Sequence, residues 1–422
     1  MSESLLLDKT ASETHVPGKK RGERNWNILG VLVGFLTPFS ISLVGKMPLS
    51  EILLLALAGF VVLGAILNQR IPGPVAAPRL LALFLGCQII ALAGYVVSDF
   101  YRNSLPLDMI RGWSRMVFLA LDIYFIGLIF GKSENAYLGV QIGAVFAGVQ
   151  CLFVRPLFGD YWKFGFGFPL TLAVLLLGPR LFGYWGALAA LVLMAFLHVI
   201  FDFRSMAGEC ILMIGLLLLR MLRPSVRKMV FVGGVLLGLA IFPWFISQVL
   251  SSDSSRATRS NVERTAMLQA AWEGFLESPI LGNGSWFSQT NVMDEFLVIR
   301  STNAQLAGVG GFADDDFEGL AIHSQILVSL AEGGLFGGTF FFAYGIMLAW
   351  AIQYCILSSP WNWLLPIKLF SLLIATFNLL MSPFSGGHRV DIAVATGLIL
   401  LYWNERNRFK SKPQSPRNFS FK

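Results

Sequence analysis

Charge is what this sequence has least of. Asp, Glu, Lys and Arg make up 14% of its 422 residues, against about 25% in soluble domains. At that density a water-facing surface cannot be covered, and the mean hydropathy of +0.66 excludes an ordinary soluble domain. Cysteine is scarce as well. Cys87, Cys151, Cys210 and Cys355 all fall in or beside apolar runs, a spacing that gives neither a disulfide framework nor a zinc site. Histidine is limited to His15, His198, His323 and His388. No small-residue cleavage site follows the first apolar run, so that run reads as a retained signal anchor. The net charge of +7 calls for no nucleic-acid partner. Much of it lies at the two ends and in short loops, where membrane topology places Lys and Arg.

What the sequence does have is apolar runs of about span length. They lie near 26–45, 51–68, 79–98, 114–131, 136–154, 165–179, 182–200, 206–222, 229–250, 335–356, 362–382 and 390–403. The expected fold is therefore all-α: a polytopic membrane protein of about twelve transmembrane helices with one large outer loop containing short helices. Residues 1–25 form a polar tail, 26–250 the first nine spans, 251–334 the large loop, 335–403 the last three spans and 404–422 a basic tail. The two runs between 165 and 200 are joined by a very short turn near Gly178-Pro179-Arg180. With both termini inside, most basic residues fall on the cytoplasmic side. Arg102, Arg111, Arg115, Arg155, Arg204 and Arg389 then lie outside, against that bias.

The interval 251–334 holds Arg256, Arg259 and Arg264. Ser260-Asn261-Val262-Glu263 matches a capping box, which starts a helix there. Met267, Leu268, Ala271, Trp272 and Phe275 continue it at helical spacing. Arg264 precedes this stripe by one turn and is aimed at the membrane or a cavity. Pro279 ends the helix and Gly282-Asn283-Gly284 turns the chain. Residues 285–320 show no period and read as loop. The acidic run Asp314-Asp315-Asp316 reads as a solvated loop tip rather than a cation site. A short helix is expected from Ala321 to Glu332, loosened by Gly333-Gly334 and Gly337-Gly338 before the next span. His198, inside a span, reads as hydrogen-bonded packing. Arg204 opens a span and is either a substrate cation or an interfacial arginine paired with Asp202.

Outer arginines with one histidine suit transfer of a sugar from a polyprenyl diphosphate. Guanidinium groups grip phosphate oxygens and stabilise the charge that grows on the leaving diphosphate. A neutral histidine takes the acceptor hydroxyl proton. Three features stand in order: Arg204 at a span mouth, Arg264 before a helix ending in Ser278-Pro279-Ile280-Leu281-Gly282-Asn283-Gly284, and His323-Ser324-Gln325-Ile326-Leu327 running to Glu332-Gly333-Gly334. In this order the chain resembles the bacterial O-antigen ligase and O-unit polymerase superfamily over about residues 200–340, with a GT-C-like architecture. The family often shows Ser-Arg-Gly at the span mouth and Asn beside its histidine, whereas here Phe203 and Ser205 flank Arg204 and Ser324 follows His323.

The resemblance implies an inverting, metal-independent glycosyltransferase of the inner membrane with a periplasmic site and no cofactor. Its donor would be an undecaprenyl-diphosphate-linked glycan and its acceptor a glycan or lipid A core. Arg204 and Arg264 would hold the diphosphate and His323 would activate the acceptor. Arg111, Arg115, Arg259, Glu332, His388 and Arg389 are supporting candidates. Ligation of a finished glycan, as in lipopolysaccharide biosynthesis, is preferred slightly over polymerisation of O-antigen or exopolysaccharide repeat units. A peptidoglycan polymerase would rely instead on an acidic residue in its large outer loop. A flippase or transporter would show related halves or interrupted spans at mid-membrane, and neither pattern stands out.

Overall fold

A computed structural model describes residues 17–42, 46–68, 77–153, 160–234, 237, 255–287, 290, 292–306 and 322–411. Among these the fold is helical apart from one small hairpin. In order come α1 (Pro17–Leu36), β1 (Ser40–Ser42), β2 (Lys46–Pro48), α2 (Leu49–Asn68), α3 (Pro78–Arg102), α4 (Pro106–Lys132) and α5 (Asn135–Ala147). Then follow α6 (Gly167–Ile200), α7 (Arg204–Met221) and α8 (224–234). After these come α9 (Ser255–Glu277), α10 (Val292–Leu306), α11 (Gln325–Leu357), α12 (Leu365–Met381) and α13 (Gly386–Ser411). Four described helices are long and apolar enough to cross a membrane: 78–102, 106–132, 162–200 and 325–357. Leu49–Val61 and Leu365–Met381 are shorter apolar stretches.

Two of these helices double back. In α6 the backbone leaves helical geometry at Gly183 (φ 59°, ψ −140°). A Cβ placed on Gly186 would meet the carbonyl of Gly178, and Gly167 lies against His198. Residues eight apart in one straight helix stand about 12 Å apart, so these contacts require two antiparallel legs. The expected short turn is therefore present, but at Gly183 rather than 178–180, because only glycine takes this positive φ without strain. In α11 the reversal is at Gly334 (φ 65°, ψ −161°), and Gly337 and Gly338 fold back onto Ser329 and Leu330. A short first leg thus precedes the long apolar one, much as the double glycines predict.

Close packing uses small residues. Gly30 and Gly34 of α1 face Ala136 and Val140 of α5, while Gly139 and Gly143 of α5 face Asn27 and Val31. Both helices carry glycines four apart, so backbones meet where a side chain would hold them apart. Gly94 of α3 lies in the same way against Gly333 and Gly337.

Four sequence expectations are corrected. The first span, read as 26–45, is helical only to Leu36. Pro38 biases Thr37 away from helix, and the chain turns into the hairpin, with Ser40 opposite Pro48. The helix read from the capping box at Ser260 begins at Ser255. The loop read over 285–320 contains α10, whose buried stripe is Val292, Phe296, Arg300 and Ala304. A charged residue in the third place hides that four-residue repeat from an apolar-periodicity reading. The helix read from Ala321 starts at Gln325, because the Ser324 hydroxyl accepts the Leu327 N–H as its N-cap.

Candidate functional site

The turn after α9 is fixed from two sides. Asn283 N–H donates to the Ala331 carbonyl at 2.9 Å and Leu335 N–H to the Pro279 carbonyl at 2.8 Å. The Asn283 side chain donates back to Gly274 O at 2.6 Å. Gly284 N–H is shared between Glu332 O at 3.0 Å and the Ser98 hydroxyl at 2.8 Å. Arg102 Nε donates to Gly282 O at 3.1 Å. Gly282 has φ 76°, and any Cβ there would run into the Glu332 carbonyl, while one on Gly334 would run into the carbonyl of Ile280. The glycines of the turn and of the α11 reversal therefore interlock, against α3.

Asp99 of α3 completes this seat. Its carboxylate accepts from Ser285 N–H at 2.6 Å, from the Ser285 hydroxyl at 2.8 Å and from Trp113 Nε1 at 2.7 Å. Glu332 sits beside it, 1% exposed. One Glu332 oxygen accepts from Arg115 Nη2 at 2.5 Å and from Tyr95 OH at 2.9 Å, and the other from Trp286 N–H at 2.9 Å. Trp286 takes a left-handed backbone (φ 63°, ψ 9°), strained for a bulky residue. Its ring lies 5.1 Å from the Arg115 guanidinium and 5.9 Å from that of Arg111. Arg115 also reaches within 5.6 Å of the Phe384 ring, in the turn before α13.

That turn carries the second part of the site. His388 Nδ1 lies 2.6 Å from the Pro383 carbonyl and 3.0 Å from the Ser385 hydroxyl. His323 stands in the segment just before α11, and its imidazole is pushed down to about 4. Burial is the largest cause, followed by the positive charge of Arg264 and then that of His388, while a backbone bond at Met381 pulls the other way. His323 is therefore an unprotonated imidazole at neutral pH, close enough to Arg264 and His388 to feel both.

The sequence candidates separate into groups. Arg264, His323 and His388 come together. Arg264 is exposed rather than on the buried face of α9, which consists of Val262, Ala266, Met267, Ala270 and Ala271. It shares the open face with Trp272, which is 49% exposed, while Leu268 is partly buried against the core. Arg204 pairs with Asp202 at 2.8 Å, both side chains about two-thirds exposed. No described contact joins it to His323. Arg111 pairs with Asp108 at 3.6 Å. Arg389 is committed elsewhere, held by both oxygens of Glu51 at 2.8 and 2.7 Å in a buried bridge between the starts of α2 and α13. As expected, His198 is packing, with Trp162 Nε1 on one ring nitrogen and Thr171 on the other, each at 2.9 Å. The side chain of Arg259, Arg155 and the run Asp314–Asp316 lie outside the described residues.

Sequence reading passed over Tyr95, Asp99, Trp286 and Glu51. Two of these, Asp99 and Glu51, are carboxylates at the ends of apolar runs, where an ionisable residue is by itself a reason to look for a partner. No protein-family model matches the chain, and no curated protein matches it either.

Proposed function

We propose that this protein is a multi-pass glycosyltransferase of the bacterial inner membrane that moves a glycan from undecaprenyl diphosphate to an acceptor hydroxyl. Its termini would be cytoplasmic and its site periplasmic. The observation that carries the reading is a half-buried, unprotonated His323 within electrostatic reach of the cationic Arg264. That juxtaposition pairs a proton acceptor with a stabiliser of developing negative charge. The acceptor oxygen attacks the anomeric carbon and its proton passes to His323. The bond to the diphosphate breaks, and its electron pair leaves on the lipid diphosphate, which faces Arg264. Arg204, weakly held by exposed Asp202, exchanges that partner for phosphate as the second cation. The Arg115–Glu332 pair holds the turn that links α9, which carries Arg264, to the α11 reversal, and does not act on substrate.

The resemblance to O-antigen ligases and O-unit polymerases supports the same reading, and ligation is the preferred reaction. The test is release of lipid diphosphate by purified protein given a polyprenyl-diphosphate oligosaccharide, with and without lipid A core. A single product formed only with lipid A core identifies a ligase. A ladder without it identifies a polymerase. Absence of release with every donor refutes the proposal.

A further inference from the structure

The open side of α9 is apolar although the helix is not one of those long and apolar enough to cross a membrane. Arg264, Trp272 and Leu276 fall, with the partly buried Leu268, at four-residue spacing. They form one row along the helix, about 18 Å from end to end. Leu276 is 57% exposed, and Ile280, in the turn that follows, is 59% exposed. Phe275 lies beside the row, with its ring 5.5 Å from that of Trp272. The packed side of the helix is apolar too, at Val262, Ala266 and Ala270. A helix that is apolar on both its packed and its open side is not a water-facing helix. The exposed Glu277 follows Leu276 and so stands about 100° further round the helix, off the row.

The neighbouring surface says what covers this side. The Pro279 carbonyl accepts the Leu335 N–H at 2.8 Å, which seats Ile280 at the head of the long leg of α11. Leu335 is itself exposed, and Phe342 and Ile346 follow it as exposed residues, seven and then four positions on. These three share one helix face. The leg belongs to a helix long and apolar enough to cross a membrane, so lipid is what meets that face. Ile280 joins it to the row on α9, and the row ends on an exposed cation, Arg264. Aliphatic residues beside a span, then an indole, then a guanidinium is the order of a membrane interface. There Trp rings sit at headgroup level and Arg reaches the phosphates.

We infer that α9 is an interfacial helix whose partner is the lipid surface: Trp272, Leu276 and Ile280 dip into one leaflet of the bilayer beside α11, and Arg264 meets the phosphates at its surface. A helix of this kind buries its apolar side among headgroups and the first carbons of the chains. A second copy or another protein could cover the row as well, but neither would continue the lipid-facing side of α11. The inference does not depend on glycan transfer.

Spin labels on the full chain, in vesicles of phosphatidylethanolamine and phosphatidylglycerol, test it. The four cysteines are first replaced by alanine, and a melting curve verifies the fold. Labels at Leu276→Cys and Ile280→Cys are compared with Ile346→Cys on α11 and with Glu277→Cys. Dissolved oxygen concentrates among lipid chains and a neutral nickel chelate stays in water. The oxygen-to-nickel collision ratio at Leu276 and Ile280 is expected to approach that at Ile346 and to exceed that at Glu277. A ratio no higher than at Glu277 overturns the inference, because the row then faces water. Low access to both probes also overturns it, because protein then covers the row. The chain with its cysteines intact gives a second reading. The difference in tryptophan emission between it and Trp272→Phe isolates Trp272, whose emission should be lost in lipids brominated on their chains and kept in aqueous iodide. The reverse pattern overturns the inference as well.

Discussion

Glu332→Ala would remove the carboxylate that pairs with Arg115, a guanidinium only 10% exposed at its side chain. It would also take the acceptor from Tyr95 OH and Trp286 N–H. Breaking a buried pair from one side costs about 3–5 kcal/mol. The lost acceptors overlap with that figure rather than adding to it, so the expected loss is about 4 kcal/mol. In a chain of this length that corresponds to a melting point lower by roughly 4–5 °C. Arg115→Met combined with Glu332→Leu removes both charges and, by the same argument, should restore most of the loss, since apolar replacements of buried pairs are often neutral. The assay is thermal unfolding of purified protein in one detergent, followed by circular dichroism at a single scan rate. A Glu332→Ala protein melting within about 1 °C of the parent, or a double variant no better than the single one, would refute the view of Glu332 as the counter-ion that fixes the turn.

The other predictions concern backbone, pH and chemistry. Gly282→Ala and Gly334→Ala should each destabilise by more than about 1 kcal/mol, because both positions have positive φ and a Cβ would strike a carbonyl. Gly387→Ala, with open space around it, should be silent in the same melting assay. His323 is pushed from an unfolded value near 6.5 to about 4. The acid limb of transfer should therefore fall near pH 4 and not near 6.5, and Arg264→Ala should move it upward. Protonation of this group favours the unfolded chain, so its contribution to stability is complete above pH 6.5 and is lost as pH falls towards 4; a melting series over that window checks the sign. His323→Ala should reduce turnover about 10²–10⁴-fold while leaving donor binding nearly intact, measured by kcat against a direct binding constant. An equal loss in both would remove His323 from the proton-accepting role.

Much of this architecture is legible in the sequence because apolar runs and glycine pairs act locally. The helices α3, α4, α7 and α12 fall within a few residues of their apolar runs, except that α4 starts eight residues before its run, at Pro106. Gly333-Gly334 marks the helix reversal that follows His323. What the sequence hides is pairing at long range. Arg115 and Glu332 are 217 residues apart, and Arg389 and Glu51 are 338 apart. No periodicity connects such residues, so Arg389 reads as a free outer cation although Glu51 neutralises it. Arg204 shows the opposite: its partner Asp202 is two residues away, so this pairing is legible locally. Scarcity singles out both His323 and His388 in the sequence, whereas the effect of His388 on His323 emerges only once α13 is brought beside the start of α11.

The interlock of Gly282 with Gly334 also sets an order of assembly. During synthesis α3 and α4 emerge long before the outer turn, and the turn emerges before α11. Ser98, Asp99 and Arg115 are then in place, but the Ala331 and Glu332 carbonyls that receive Asn283 and Gly284 do not yet exist. Contacts of such high sequence separation form late. A chain made only as far as α10 therefore carries Arg115 without its carboxylate, and the site can close only when the last third of the protein has been inserted. Closure of this interlock is thus a late event of folding, and it reports by its own formation that both halves of the bundle have met.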